Sequence, residues 1–191
     1  MPYASRSGLK LESALAAFAM DVTGKVCADL GCNAGGFVDC LLQHGAKLVY
    51  AIDTGYGMLD WKLRTDGRVV VMERTNAMHA TLPQTVDLIT IDVAWTRQKH
   101  ILPAAMKLLR PGGLIVTLIK PHYEADKSLL RRGVLPAEHT TAVVEEVLTQ
   151  ARALGLDVIA TTPSPIKGAG GNVETLAAMR LAKETKVASG L

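Results

Sequence analysis

Two charged residues stand directly behind apolar runs in the middle of the chain. Asp92 follows the run at 87–91, and Lys120 follows the run at 114–119. A charge that ends a buried strand is rarely a solvated surface group, so both side chains are candidates for chemistry. A lysine and a carboxylate at neighbouring strand ends could accept a proton and hold a polar substrate. The alternative is a plain ion pair between neighbouring strands.

Two more charged residues lie far from these in sequence, at Lys10 and Glu174. Lys10 sits at the start of a predicted helix, and Glu174 opens the last predicted strand. We expect both to open onto the face that carries Asp92 and Lys120. Each also has a simpler interpretation, because Lys10 could be an exposed helix lysine and Glu174 an edge-strand carboxylate.

A glycine-rich turn follows the first apolar run, in the segment 29–37. Glycines there allow a sharp turn and close approach to a ligand, and the next helix offers free N–H groups. Three residues separate Gly31 from Gly35, so the dinucleotide fingerprint fails. An acid at the start, Asp29, suits a ligand with cationic groups and no phosphate, as in S-adenosylmethionine. The turn by itself could also be an ordinary tight turn.

Two polar residues extend this candidate cofactor site. Asp53 ends the second strand, where an acid commonly accepts hydrogen bonds from ribose hydroxyls. Asn76 follows the third strand and could read the adenine amino edge, or it could satisfy its own backbone in a turn. The predicted cofactor-binding residues are Asp29, Gly31, Cys32, Asn33, Gly35, Gly36, Phe37, Asp53, Asn76 and Asp92.

The elements that must position these residues alternate along the chain. Strands are predicted at 25–30, 48–52, 69–72, 87–91, 114–119, 156–161 and 173–181. Helices are predicted from Ser7 to Met20, at 35–44, at 102–109 and after Pro136, with a turn at 110–113. Continuous apolar strands alternating with helices predict a doubly wound α/β fold with a seven-stranded, mostly parallel sheet. Ligands in such sheets bind at the carboxyl ends of the strands.

Length and composition favour one globular domain over residues 1–191, with an N-terminal helical segment at 1–24 and a frayed tail at 183–191. Apolar residues make up 49% and charged residues 20%. No apolar run approaches the ~18 residues that span a bilayer, so we expect a cytoplasmic protein without a membrane partner. Three cysteines at 27, 32 and 40 fit no zinc or redox motif, so we predict reduced thiols and no metal site.

The net charge of +3 is compatible with a nucleic-acid partner. Basic residues that could track a phosphate backbone are Arg6, Lys62, Arg64, Arg97, Lys99, Lys127, Arg131, Arg132 and Lys167.

Taken together, the sequence resembles the TlyA branch of the FtsJ-like RNA 2′-O-methyltransferases, also known as hemolysin-like proteins. The shared segments lie at 5–11, 35–42, 53–57, 73–76, 91–93, 118–121 and 171–174. The resemblance implies a Rossmann-like methyltransferase fold, S-adenosylmethionine as cofactor, and structured RNA, above all rRNA, as substrate. It matches Lys10, Asp92, Lys120 and Glu174 to the family's catalytic tetrad, with Lys120 as the candidate base. Burial and Lys10 would lower the pKa of Lys120, whereas the two carboxylates would raise it, and the sequence leaves the balance open.

The sequence departs from the family pattern in several places. We expect the chain to lack the family's N-terminal S4 RNA-binding domain and therefore to bind RNA weakly. Ala94-Trp95 and His122-Tyr123 stand where Ser-Phe and Gln-Phe are common, and the centre of the cofactor loop at 32–34 is unusual.

Other methyltransferase chemistries lack their signatures. Amino-group methylation favours Asn/Asp-Pro-Pro-aromatic after the fourth strand, and carbon-5 methylation needs a cysteine that does not occur after Cys40. Two alternatives from other classes are a non-catalytic module that binds cofactor or RNA, and a membrane-active hemolysin.

Overall fold

The computed structural model describes residues 1–182, so the predicted frayed tail at 183–191 lies outside the described residues. Within this range seven strands form one sheet: β1 Val26–Leu30, β2 Leu48–Ile52, β3 Val69–Met72, β4 Val86–Ile91, β5 Leu109–Ile119, β6 Leu156–Pro163 and β7 Thr175–Leu181. The same residues contain six α-helices: α1 Gly8–Ala17, α2 Gly36–Gln43, α3 Trp61–Arg64, α4 Gln98–Leu108, α5 Pro121–Glu124 and α6 Ala137–Ala153. None of the helices up to residue 182 has the length and hydropathy to cross a bilayer.

The strand order across the sheet is β3-β2-β1-β4-β5-β7-β6. The first five strands in this order are parallel to one another, and β7 runs antiparallel to both β5 and β6. This topology confirms the predicted α/β class and the seven-stranded, mostly parallel sheet. The chain order reverses between β1 and β4, and a crevice opens beyond the carboxyl ends of the strands at such a switch point.

Helices cover both faces of the sheet, which explains why its strands read as continuous apolar runs. Ala28 and Leu30 of β1 pack with α4 and α6 on one face, whereas Cys27 packs with α1 and α2 on the other. All three cysteines are free and buried, as predicted for small apolar side chains.

The first helix begins directly after Ser7, as predicted, but it ends earlier and lacks the predicted side-chain cap. It stops at Ala17 instead of Met20, because Ala19 takes a φ of +50° and the Met20 N–H turns back to the carbonyl of Leu15. Ser7 does not cap the helix with its side chain, since its hydroxyl lies 2.7 Å from that of Ser5.

The residues of the predicted turn at 110–113 lie within the bounds of β5, but they pair with neither neighbouring strand and Gly112 has a φ of +77°. This strand begins at Leu109, which lies opposite Val86 of β4, and the register shifts before the regular ladder starts. Helix α4 begins four residues before its predicted start, at Gln98, whose backbone N–H donates to Glu124. The last strand begins at Thr175, so Glu174 lies immediately before it.

Candidate active site

The loop that leaves β1 lies against the loop that leaves β4. Pairing of the two strands sets Leu30 beside Ile91, so Gly31 and Asp92 meet at the switch point. A Cβ on Gly31 would lie 2.8 Å from the Asp92 carbonyl oxygen, and the φ of this glycine is +89°. Both facts require glycine, and the close packing fixes the backbone of Asp92 at the edge of the crevice.

Asp53 joins the two loops that follow β1 and β2. Its carboxylate accepts hydrogen bonds from the backbone N–H of Asn33 at 2.9 Å and of Gly55 at 2.7 Å. The side chain is therefore held at the strand end where the sequence predicts a ribose acceptor. That role remains a prediction, because each carboxylate oxygen already has one backbone donor.

Asp29 is a buried carboxyl group with one free oxygen. Its Oδ1 accepts from the hydroxyl of Thr90 at 2.7 Å, while Oδ2 has no partner among the described residues. Burial raises the pKa of Asp29 to about 8; the Thr90 hydrogen bond opposes this shift and the charges of Asp92 and Asp53 add to it. A cation placed beside Oδ2 would favour the ionised form.

Two cavities meet at the carboxyl edge of the sheet. The first, of about 380 Å³, contains Asp29, and the second, of about 360 Å³, contains Asp53 and Asn76. Asp92 lines both cavities and so stands between them. The volumes are in the range of small-molecule sites, and the shared wall would allow one elongated ligand to occupy both.

Most predicted cofactor residues reach these cavities. The first cavity is lined by Asp29, Gly31, Cys32, Asn33, Phe37 and Asp92, and the second by Gly31, Asn33, Asp53, Asn76 and Asp92. Gly35 and Gly36 line neither. Gly35 instead supplies a φ of +93° at the start of α2, and Gly36 packs closely against the hydroxyls of Ser5 and Ser7.

Asn76 makes the local contact that the alternative interpretation expects. Its Oδ1 accepts from the backbone N–H of Met78 at 3.0 Å and caps a short 3₁₀ turn at Ala77–His79. The residue is exposed and lines the second cavity, so its position is compatible with both interpretations.

The four predicted catalytic residues all line the first cavity. They form two ion pairs. Lys10 Nζ lies 2.5 Å from Glu174 Oε2, and Lys120 Nζ lies 2.7 Å from Asp92 Oδ1. Lys120 also donates to the carbonyl of Val93 at 3.1 Å. The structure therefore brings together side chains that come from α1, two central strand ends and the segment before β7.

Burial decides against the simpler interpretations of Lys10 and Glu174. Their side chains are 8% and 3% exposed, so Lys10 is not a surface lysine. Strand β7 lies between β5 and β6, so Glu174 does not belong to a sheet edge. Asp92 and Lys120 do form an ion pair, yet at 17% and 15% exposure they face a cavity and not open solvent.

Sequence reasoning treated His122 and Tyr123 only as departures from a pattern, and both line the first cavity. They also line a neighbouring groove of about 740 Å³, together with Trp95. The rings of Trp95 and Tyr123 are 5.2 Å apart, and Trp95 is 82% exposed. The sequence signal that could have identified His122 and Tyr123 is their position two and three residues after Lys120.

The predicted basic residues do not all gather at this site. Arg6 lines the first cavity, whereas Arg97 and Lys127 line the groove. Lys62 and Arg64 belong to α3, and Arg64 is engaged by a carboxylate at 2.6 Å. Lys99, Arg131, Arg132 and Lys167 are exposed and line neither the cavities nor the groove.

Comparisons with known proteins show the family of the chain. The model of the FtsJ-like methyltransferase family matches residues 3–181. An rRNA methyltransferase candidate of Bacillus subtilis (strain 168), YqxC, is 43% identical over 181 residues, which cover 91% of this chain and 64% of that protein. The 16S/23S rRNA (cytidine-2′-O)-methyltransferase TlyA of Mycobacterium tuberculosis is 40% identical, with 90% of this chain and 66% of the relative covered. The chain thus spans just under two thirds of the length of these two curated relatives.

The likeness extends to solved structures. A hemolysin candidate from Lactococcus lactis superposes with a TM-score of 0.90 at 42% identity, covering 94% of this chain and 88% of that one.

Proposed function

This chain belongs to the FtsJ-like methyltransferase family, and on that premise we propose that it transfers a methyl group from S-adenosylmethionine to a ribose 2′-hydroxyl of RNA. The observation that carries the proposal is the grouping of Lys10, Asp92, Lys120 and Glu174 on one cavity beside the glycine loop. The fold and the family imply use of S-adenosylmethionine, and the activity of the whole protein is our inference.

The residues of the two cavities fit this cofactor. The free, buried Oδ2 of Asp29 is an acceptor for an ammonium group, which would restore the ionised carboxylate. Asp53 and Asn76 in the second cavity are suited to a ribose and an adenine edge. Asp92, between the cavities, is where the two halves of such a ligand would join. Bound there, the cofactor supplies a methyl group on a sulfonium for in-line transfer to an oxygen.

Lys120 is our candidate for accepting the hydroxyl proton. As a neutral amine, Nζ would donate its two N–H groups to Asp92 and to the carbonyl of Val93 and keep its lone pair for the hydroxyl proton. Asp92 orients the amine, and the buried pair of Lys10 and Glu174 offers one donor and one acceptor for the ribose. Positioning of this kind supplies much of the rate in a displacement, and a base adds roughly 10² to 10⁴-fold.

We propose rRNA as the substrate. The relative from Mycobacterium tuberculosis is named a 16S/23S rRNA (cytidine-2′-O)-methyltransferase, and the groove beside the cavity combines aromatic rings with Arg97 and Lys127. Aromatic faces and cations together suit a nucleic-acid strand.

The test combines cofactor binding with methyl transfer. Calorimetric titration with S-adenosylmethionine is followed by transfer of a labelled methyl group to purified small and large ribosomal subunits, with the methylated nucleotide mapped. We expect Lys120→Ala and Lys120→Arg both to lose activity while they still bind cofactor, because a guanidinium stays protonated. Lys107→Arg, on the exposed end of α4, is the matched control.

Each failure has a distinct meaning. Substantial turnover by Lys120→Arg would leave Lys120 an orienting role only. Cofactor binding without methylation of either subunit would favour a non-catalytic binding module, and no cofactor binding at all would defeat the proposed function.

A further inference from the structure

His122 occupies the wall between the candidate catalytic cavity and the adjoining groove. It is the second residue of α5, two positions after Lys120, and it lines both spaces although it is only 8% exposed. Its ring packs on Tyr123 with centroids 4.1 Å apart at 49°. Such packing holds the imidazole in one orientation.

The two ring nitrogens have different surroundings. Nδ1 is enclosed and has no hydrogen-bond partner among residues 1–182. An enclosed lone pair is tolerated better than an enclosed N–H without an acceptor, so the proton of the neutral ring belongs on Nε2. The ring therefore presents a donor to the cavity.

Burial keeps the ring neutral. It lowers the pKa of His122, the carboxylate of Glu174 opposes this shift, and the ammonium groups of Lys120 and Lys10 add to it. At neutral pH the side chain is an uncharged imidazole with one N–H available.

The surrounding cavity and groove favour an anion. Lys10 and Lys120 are each neutralised by a carboxylate. Arg6, Arg97 and Lys127 line the same spaces, and none of them has an ion-pair partner within the described part of the chain. Glu124 and Asp126 lie close enough to Arg97 to interact with its charge. The three cationic side chains without an ion-pair partner up to residue 182 are the groups that would attract a phosphate.

We propose that His122 is a positioning residue that donates a hydrogen bond from Nε2 to a phosphate oxygen of the RNA strand beside the methylated nucleotide. The inference rests on the proposed function. His122 does not accept the hydroxyl proton, because a ring protonated on Nε2 offers no lone pair to the cavity. Its contribution is to hold the strand with equal strength before and during methyl transfer, so that its loss raises KM and leaves kcat unchanged.

Two amide variants test which nitrogen matters. Glutamine places its amide nitrogen near the position of Nε2, whereas asparagine places it near Nδ1. We expect His122→Gln to keep KM for ribosomal subunits within about threefold of the wild type, and His122→Asn to raise it about tenfold or more, as for loss of a hydrogen bond to a charged group. The kcat and the cofactor Kd should change little in both. His100→Asn, on the exposed face of α4, is the control.

Equal KM values for the two variants would overturn the proposal. If the wild type binds ribosomal subunits without methylating them, the proposed function fails. The two variants, His122→Gln and His122→Asn, are then compared by their Kd for subunits, measured by filter binding. Nitrogen NMR of the histidine-labelled free protein gives a readout that needs no RNA and does not depend on either variant folding. It should report the Nε2–H tautomer for His122, and the Nδ1–H tautomer would contradict the inference.

Discussion

Replacement of Asp29 by asparagine should remove a large pH dependence from the stability of the protein. Asparagine has the shape of the carboxyl group and keeps the acceptor for the Thr90 hydroxyl, which lies 2.7 Å from Oδ1. It cannot ionise. The variant therefore changes the proton balance of folding while it leaves the packing of β1 against β4 in place.

The magnitude follows from the two pKa values. In the unfolded chain the Asp29 carboxyl ionises near 3.8, and in the folded protein its pKa is about 8. Between these values the folded state holds a proton that the unfolded state has lost, so a rise in pH favours unfolding. The free energy of unfolding should fall by about 1.4 kcal/mol per pH unit in this window, or about 2.7 kcal/mol from pH 5 to pH 7, and level off above the folded pKa.

Urea denaturation between pH 5 and pH 9 measures this effect as the difference between wild type and Asp29→Asn. Titrating groups that do not interact with Asp29 cancel in the difference. Asp21→Asn is the matched control, because the hydrogen bonds from Thr23 lower the pKa of this exposed carboxyl below 3.8, outside the range tested. Parallel pH profiles for wild type and Asp29→Asn would refute the reasoning that Asp29 is protonated in the free protein. Saturating S-adenosylmethionine should flatten the wild-type profile if its ammonium group pairs with Asp29.

Three further predictions concern the cofactor, the buried pair and the RNA. Asp53→Ala should weaken S-adenosylmethionine binding by about 1.5 to 3 kcal/mol in calorimetry, with circular dichroism unchanged, since it removes a charged acceptor; an unchanged Kd would show that another acid serves the ribose. Lys10→Met should lower the free energy of unfolding by about 3 to 5 kcal/mol, because it leaves Glu174 buried without its partner. The double variant with Glu174→Gln should regain much of that loss in the same urea assay. Affinity for ribosomal subunits should fall steeply between low and physiological salt, as expected for phosphate contacts, and binding that is insensitive to salt would contradict an electrostatic interface.

Local sequence patterns were sufficient for most of the strands and for the cofactor loop. Strands β2 and β3 have the bounds predicted from their apolar runs, because an unbroken apolar run carries its signal within its own residues. This holds for the buried β2 and also for β3, which is only partly buried at the edge of the sheet. Gly31 was identified for the same reason, since the backbone conformation at a sharp turn restricts the residue type locally. Prediction failed where contacts from elsewhere set a boundary, as at Gln98, whose N–H is held by Glu124 from α5.

The sequence by itself thus determined the fold class, the glycine turn and the two charges at the ends of central strands, because each depends on residues that are neighbours along the chain. Only the tertiary structure decided that β7 lies between β5 and β6, and that Lys10 meets Glu174 across 164 positions of sequence. It alone showed that one nitrogen of His122 and one oxygen of Asp29 are buried without a hydrogen-bond partner among residues 1–182. The burial and hydrogen bonding of these side chains depend on which distant elements pack around them. The periodicity of the sequence does not show which elements those are.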